Sequence, residues 1–146
     1  MAVDVSTEIV IDRARPEVAA FAADPDNATR WYSNIKSVEP EAPGPVVVGS
    51  RIAFVAQFLG RRIAYTYEVK EHLPGERFVM STAQGPFAME TTYTWKDTQD
   101  GGTHMALRNR GEPSGFSKIA APMMERAMRR ANRKDLDRLK ALLERS

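Results

Sequence analysis

Two hydroxyl-bearing side chains interrupt an apolar row in the stretch "GPFAMETTYTWKD", and their types make them the first candidates for a chemical or binding role. The stretch alternates as a β-strand does, so one face carries Phe87, Met89, Thr91, Tyr93 and Trp95. A buried hydroxyl without a partner costs about 1–3 kcal/mol. The row therefore predicts either hydroxyls that bond to neighbours in a filled core, or a face that lines a cavity.

Other reactive groups are sparse. The chain has no cysteine, which excludes disulfides, thiol nucleophiles and thiolate metal sites. His72 follows a strand beside "LPGE" and His104 shares an outward face with Arg108, so both are interpreted as surface or turn histidines rather than general bases. Two isolated histidines do not predict a transition-metal site.

Nucleotide and hydrolase motifs are also missing. Neither GxxxxGK[ST] nor GxGxxG occurs in the sequence. Ser114 is better placed as a helix N-cap than as a nucleophile, and the strand acids Glu68 and Glu90 fall on the outward phase. The catalytic residues therefore stay unassigned, and neither a metal nor a cofactor is predicted.

Positive charge is concentrated in the C-terminal segment, where residues 115–146 hold nine Lys and Arg against four Asp and Glu. The acidic residues Glu125, Asp135 and Asp137 are interspersed and allow pairs such as Glu125–Arg129 at i,i+4 spacing. No aromatic side chains interleave for base stacking. The pattern favours a solvated helix face over nucleic-acid binding, and it leaves weak contact with an anionic membrane open. The basic residues are Arg126, Arg129, Arg130, Arg133, Lys134, Arg138 and Lys140.

The elements that must position these residues follow from periodicity. Alternation predicts a first strand from Val3 to Ile11, and "RPEVAAFAAD" and "NATRWYSNI" predict two short helices. A Pro/Gly-rich connector, "EPEAPGPVVVGS", follows a possible second strand. Further strands are predicted at close spacing, over Arg51–Leu59, Arg61–Glu71, Arg77–Thr82, Gly85–Asp97 and Thr103–Arg110.

The last element is predicted to be a helix from about Gly115 to Glu144, kinked or restarted at Pro122. Its early apolar stripe is small and pliable, which suits a surface that covers something adaptable: Phe116, Ala120, Met123, Ala127 and Ala131. Its later stripe is rich in leucine and suits an anchor against the sheet: Met128, Asn132, Leu136, Leu139 and Leu143.

Three segments carry a family resemblance: "IVIDRARPEVAAFAADPDNATRW", "YEVKEHLPGERFVMST" and "YTWKDTQDGGTHMAL". With this order of elements, the whole chain resembles the START/Bet v1-like (SRPBCC) superfamily, in particular its polyketide cyclase/dehydrase and lipid-transport branch. The resemblance implies an α+β helix-grip fold, in which a curved antiparallel sheet wraps around a long C-terminal helix. At 146 residues the chain is predicted to form one domain, 1–146.

The resemblance also implies a deep apolar pocket between sheet and helix. Its polar groups are predicted to be Tyr65, Tyr67, Thr91, Tyr93 and Asn109. Its wall is predicted to be Phe54, Phe58, Phe87, Met89, Met105 and Met123, with methionine suited to varied shapes.

Three functions remain open from the sequence. The first is binding or transport of a small hydrophobic or amphipathic ligand, such as a lipid or polyketide-like molecule. The second is a polyketide cyclase or aromatase, in which Tyr65, Tyr67 or Tyr93 positions or protonates an enolate. The third is a membrane-surface or interaction module that uses the basic helix. Early acids in "MAVDVSTEIVIDR" argue against a signal peptide, so a cytoplasmic protein is expected, as a monomer or homodimer.

Overall fold

A computed structural model of the chain describes residues 2–113 and 119–145. Seven strands and three α-helices follow one another in these ranges, with a 3₁₀ turn at Pro25–Asn27. The strands are β1 (Val3–Ile11), β2 (Ile35–Pro40), β3 (Arg51–Phe58), β4 (Arg61–Leu73), β5 (Arg77–Gln84), β6 (Ala88–Asp97) and β7 (Thr103–Glu112). The helices are α1 (Arg15–Ala22), α2 (Ala28–Trp31) and α3 (Ala121–Arg145).

The strands form a single curved antiparallel sheet in the order β1-β7-β6-β5-β4-β3-β2. Every strand except β1 pairs with the strand next to it in sequence, and β1 closes the order by pairing with β7. Short turns suffice for this arrangement because antiparallel neighbours need no crossover. The strand alternation predicted from the sequence is confirmed, and the α+β helix-grip fold with it.

Helix α3 lies against β1 and fastens the free edge of the sheet at two points. Glu125 Oε2 accepts a hydrogen bond from the backbone N–H of Asp4 at 3.2 Å. At the other end, Glu144 Oε2 accepts from the backbone N–H of Asp12 at 2.8 Å, and Lys140 Nζ donates to the carbonyl of Val10 at 2.7 Å. These side chains occupy backbone groups that an edge strand otherwise leaves unpaired.

The start of α3 corrects the sequence-based boundary. The helix begins at Ala121, not at Gly115, and Pro122 is its second residue. A proline in the first turn breaks no helical hydrogen bond, so it marks the beginning of the helix rather than an internal kink. The predicted N-cap Ser114 and the predicted stripe residue Phe116 lie outside the described residues.

Buried apolar side chains form two clusters along α3. The larger one surrounds the C-terminal half of the helix and includes Leu136, Leu139 and Leu143. The smaller one surrounds its N-terminal half and includes Met124 and Met128. Among the described helices, none is long and apolar enough to cross a membrane.

Candidate functional site

A cavity of about 180 Å³ lies between the concave face of the sheet and α3. Strands β2 to β7, the α1–α2 region and the helix all contribute side chains to its wall. The cavity is much larger than the space that one water molecule requires. The hydroxyl-bearing row of β6 therefore faces a space rather than a completely filled core.

Nine of the eleven side chains predicted to bind a ligand line this cavity. Aromatic rings make up one side of it: Phe54 stacks on Tyr65 at 5.4 Å between ring centroids, and Tyr65 in turn meets Phe87 at 5.2 Å. Contact of these nine residues with a ligand stays a prediction. They are Phe54, Phe58, Tyr65, Tyr67, Phe87, Met89, Thr91, Tyr93 and Asn109.

The other two predicted wall residues lie elsewhere. Met105 is fully buried in the larger apolar cluster, where it is paired across the sheet with Ile9 and Trp95 beyond the end of the cavity. Met123 is 66% exposed. One position on a helix is a rotation of about 100°, so the neighbouring Met124 takes the inward place that the sequence analysis gave to Met123.

Three polar side chains of the wall form a hydrogen-bond chain across the sheet. Thr91 Oγ1 donates to Asn109 Oδ1 at 2.8 Å, between residues paired in β6 and β7. The Tyr67 hydroxyl lies 3.1 Å from Thr91 Oγ1. Because threonine has only one hydroxyl proton, Tyr67 must be the donor in that contact. Burial raises the pKa of Tyr67 to about 12, so its hydroxyl remains protonated at neutral pH.

A second polar pair joins the α2 region to β6. The hydroxyls of Tyr32 and Tyr93 are 2.6 Å apart, and both residues line the cavity. Burial raises the pKa of both hydroxyls, and the proximity of the two groups raises that of Tyr32 further. The pair therefore offers the cavity neutral hydrogen-bonding groups rather than a phenolate.

Asp135 is the functional candidate that the sequence analysis missed. Its side chain is 2% exposed and lines the cavity, although the sequence placed it on the solvated basic face. Oδ1 accepts two hydrogen bonds from Ser33, from the backbone N–H and from the hydroxyl, both at 3.0 Å. Burial raises the pKa of the Asp135 carboxyl despite these bonds. The helical spacing from Met128 and Asn132 was the available signal, because all three share one face.

Asn132 adds an unused hydrogen-bond donor to this end of the cavity. Its side chain is 6% exposed, lines the cavity, and its Nδ2 has no hydrogen-bond partner among the described residues. A buried amide without a partner costs free energy that a ligand acceptor would recover. The sequence placed Asn132 on the inward stripe without assigning it a role.

The remaining titratable candidates lie away from the cavity. His72 packs edge-on against Phe78, and His104 Nε2 lies 3.4 Å from Glu8. Glu68 pairs with Lys70 and Arg51 on the outer face, as its outward phase predicted. Within residues 2–113 and 119–145, no cluster of His, Asp and Glu has the arrangement of a metal site.

The comparisons with known proteins agree with this geometry. A family model described as "Polyketide cyclase / dehydrase and lipid transport" matches residues 2–144. A search of curated proteins returned no match.

Solved structures give the same fold at low sequence identity. A START superfamily protein from Mycobacterium smegmatis has a TM-score of 0.82 at 14% identity, with 97% of each chain covered. The Zhui aromatase/cyclase from Streptomyces sp. R1128 has a TM-score of 0.79 at 14% identity, with 99% of this chain and 95% of that chain covered. The major latex-like protein 151 from Panax ginseng has a TM-score of 0.74 at 11% identity, with 96% of each chain covered.

Proposed function

The chain belongs to the polyketide cyclase/dehydrase and lipid-transport family, and from that premise we propose that it binds a small, mostly hydrophobic ligand in the cavity. One observation carries the proposal: a largely apolar wall also includes Asn132, whose buried Nδ2 has no hydrogen-bond partner among the described residues. Binding sites for small molecules combine these two features, since apolar surface supplies affinity and a few polar groups fix orientation.

The ligand's apolar part lies along the aromatic and methionine side of the cavity in this proposal. Burial of apolar area contributes roughly 25 cal/mol per Å². The ligand's polar end carries a hydrogen-bond acceptor that meets Asn132 Nδ2. Met89, Met124 and Met128 give part of the wall a flexible surface, which fits ligands of differing shape.

A neutral fluorescent probe, N-phenyl-1-naphthylamine, tests the proposal with two matched helix variants. Ala131 lines the cavity, whereas Ala127 is equally half-buried but does not. The natural chain is expected to bind the probe saturably with one molecule per chain. Ala131→Leu fills part of the cavity and should lower the affinity at least about tenfold, while Ala127→Leu leaves it unchanged. Absence of saturable binding, or an equal loss in both variants, would overturn the proposal.

A second candidate function is a cyclase or dehydrase reaction in the same cavity, and the buried Asp135 favours it. A carboxyl whose pKa is raised by burial is better matched to moving protons near neutral pH than an ordinary aspartate. The tyrosines stay protonated because burial raises their pKa. The Tyr65 hydroxyl, which has no hydrogen-bond partner within the described ranges, would stabilise an enolate by donating a hydrogen bond rather than by releasing a proton, whereas the proton of Tyr67 is already donated to Thr91.

This second function is tested with Asp135→Asn, which keeps an oxygen to accept the two Ser33 hydrogen bonds. Under the enzyme hypothesis the variant loses turnover of a poly-β-keto thioester but keeps the affinity for the fluorescent probe. No turnover by the natural chain, or equal turnover by the variant, would leave ligand binding as the function of the cavity.

A further inference from the structure

The edge of β1 that faces α3 is occupied at its ends and open in its middle. Residues Asp4, Val10 and Asp12 direct backbone groups toward the helix, where Glu125, Lys140 and Glu144 bind them. Backbone N–H groups on alternate residues of a strand point to the same side. The N–H groups of Ser6 and Glu8 must therefore point toward α3 as well.

Among the described residues, no helix carboxylate accepts a hydrogen bond from this open middle, in contrast to its two ends. Instead, four arginines of α3 line a groove there together with Ser6, Thr7 and Glu8. Their i, i+3, i+4, i+7 spacing places them on one side of the helix. In the part of the chain that the structure describes, none of their guanidinium groups has an ion pair or hydrogen bond. The four are Arg126, Arg129, Arg130 and Arg133.

The exposed arginines of this face lack the acidic partner that the i,i+4 spacing predicted. The predicted i,i+4 pair between Glu125 and Arg129 does not form, because Glu125 is directed to the backbone of Asp4. Asp135, also counted as an interspersed acid, is buried beneath the helix. Among the described residues, Glu8 is the one carboxylate that lines the groove, and its side chain lies beside His104. The groove therefore carries four guanidinium groups against one carboxylate.

Thr7 supplies a second and independent observation, an unpaired polar group beside the arginines. It lines the same groove and is 3% exposed, yet its hydroxyl Oγ1 has no hydrogen-bond partner among the described residues. A buried hydroxyl in this state destabilises the fold. The hydroxyl is fully covered, so an acceptor bound in the groove would satisfy it once the side chains that cover it move aside.

We propose that the groove between β1 and α3 binds a phosphate group, through the arginines, the backbone N–H groups of Ser6 and Glu8, and the Thr7 hydroxyl. Glu125 and Glu144 show that this strand edge accepts oxygen anions at either end. Guanidinium groups bind phosphate oxygens in pairs, and successive backbone N–H groups add fixed donors. This site is separate from the cavity and does not depend on the function proposed there.

Titration of the full chain with inorganic phosphate, followed by amide NMR, tests the site. The amide protons of Ser6 and Glu8 are expected to shift downfield and to saturate, with an affinity that falls as salt rises. Arg129→Gln with Arg133→Gln should weaken binding at least about tenfold. The matched control is Lys134→Gln with Arg138→Gln, which removes two charges from the exposed side of the same helix and should change the affinity less than about twofold.

Thr7→Val is a second variant that keeps the size of the buried side chain. It should weaken phosphate binding while the fold stays intact, because the natural hydroxyl has no partner without ligand. Absence of amide shifts at Ser6 and Glu8, or an equal loss in the arginine variant and its lysine-containing control, would overturn the proposal.

Vesicles distinguish the two sources of a phosphate group. Binding to phosphatidylcholine vesicles that contain phosphatidic acid, lost in the arginine variant, would support the site and identify a lipid headgroup. A response to inorganic phosphate without vesicle binding would support a free phosphate compound. Binding of duplex DNA without amide shifts at Ser6 and Glu8 in phosphate would contradict the site and indicate only a basic surface.

Discussion

The two halves of α3 cover the same sheet, but one half packs against a filled core and the other half lines a cavity. The C-terminal half packs Leu136, Leu139 and Leu143 into a filled core. The N-terminal half presents Met124 and Met128 toward the cavity. Leucine fills a fixed space well, while methionine adapts and leaves room. The contrast indicates that stability is concentrated at one end of the helix, which frees the other end to line a binding site.

The sharpest test of this contrast compares two methionines in different surroundings. Met105 is fully buried in the core, whereas Met89 is half-buried and lines the cavity. Met105→Ala should lower the free energy of unfolding by about 2–5 kcal/mol. Met89→Ala should cost less, because its side chain already has fewer packed neighbours. Chemical denaturation measures both, and equal losses would show that the cavity end is packed like the core.

A smaller effect is expected from two tyrosine hydroxyls at the cavity. Tyr93→Phe removes the hydrogen bond to Tyr32 and should cost about 0.5–1.5 kcal/mol of stability. Tyr65→Phe is the matched control, since its hydroxyl has no hydrogen-bond partner within the described ranges. That variant should be nearly neutral in the same denaturation experiment. A larger loss for Tyr65→Phe than for Tyr93→Phe would contradict the assigned polar pairs.

The smallest effect on the free energy of unfolding is expected at Asp135, where a substitution should stabilise the fold rather than destabilise it. Burial raises its pKa in the folded chain above the ordinary value of 3.8, so the folded state favours the protonated carboxyl. This contribution to stability is complete below pH 3.8 and is lost as the pH rises through the raised folded value. Asp135→Asn should therefore be more stable than the natural chain at neutral pH. The gain is modest, because the Ser33 hydrogen bonds already offset part of the burial cost.

Unfolding curves across a range of pH check this sign. The difference between Asp135→Asn and the natural chain should shrink on acidification. A variant that is less stable than the natural chain at neutral pH, by a difference that disappears on acidification, would mean that the charged carboxylate is stabilised in the fold.

The sequence predicted the strands well because alternation records which face is buried. Val3 to Ile11 alternates over its whole length, and the strand occupies those residues. The side of the helix that faces the cavity was harder to predict, because a step of one residue changes the direction of a side chain by about 100°. Met123 and Met124 differ by that single step, and the prediction assigned the wrong one to the cavity.

The polar end of the site could not be predicted from residue types alone. Asp135 lies between Lys134 and Arg138 in a strongly charged segment, so composition favoured exposure. What buries it is Ser33, from a short loop more than a hundred positions away in the chain, whose two donors hold Oδ1 in place. A tertiary contact of this kind produces no periodic pattern in the sequence. Met105 was misplaced for a related reason, because alternation gives the face of a strand but not where along it a cavity ends.

The hydrogen bond between Tyr32 and Tyr93 has a consequence for how selective the site can be. Either hydroxyl is able to donate to the other, and the one that accepts keeps its own proton available. Exchange of the two arrangements swaps which ring offers a proton and which offers a lone pair. Rotation of the two O–H bonds would accommodate either a ligand with a ketone or a ligand with an alcohol at the same position. In the ligand binding proposed above, this pair would recognise a polar atom without prescribing its type, which would let the site accept related ligands.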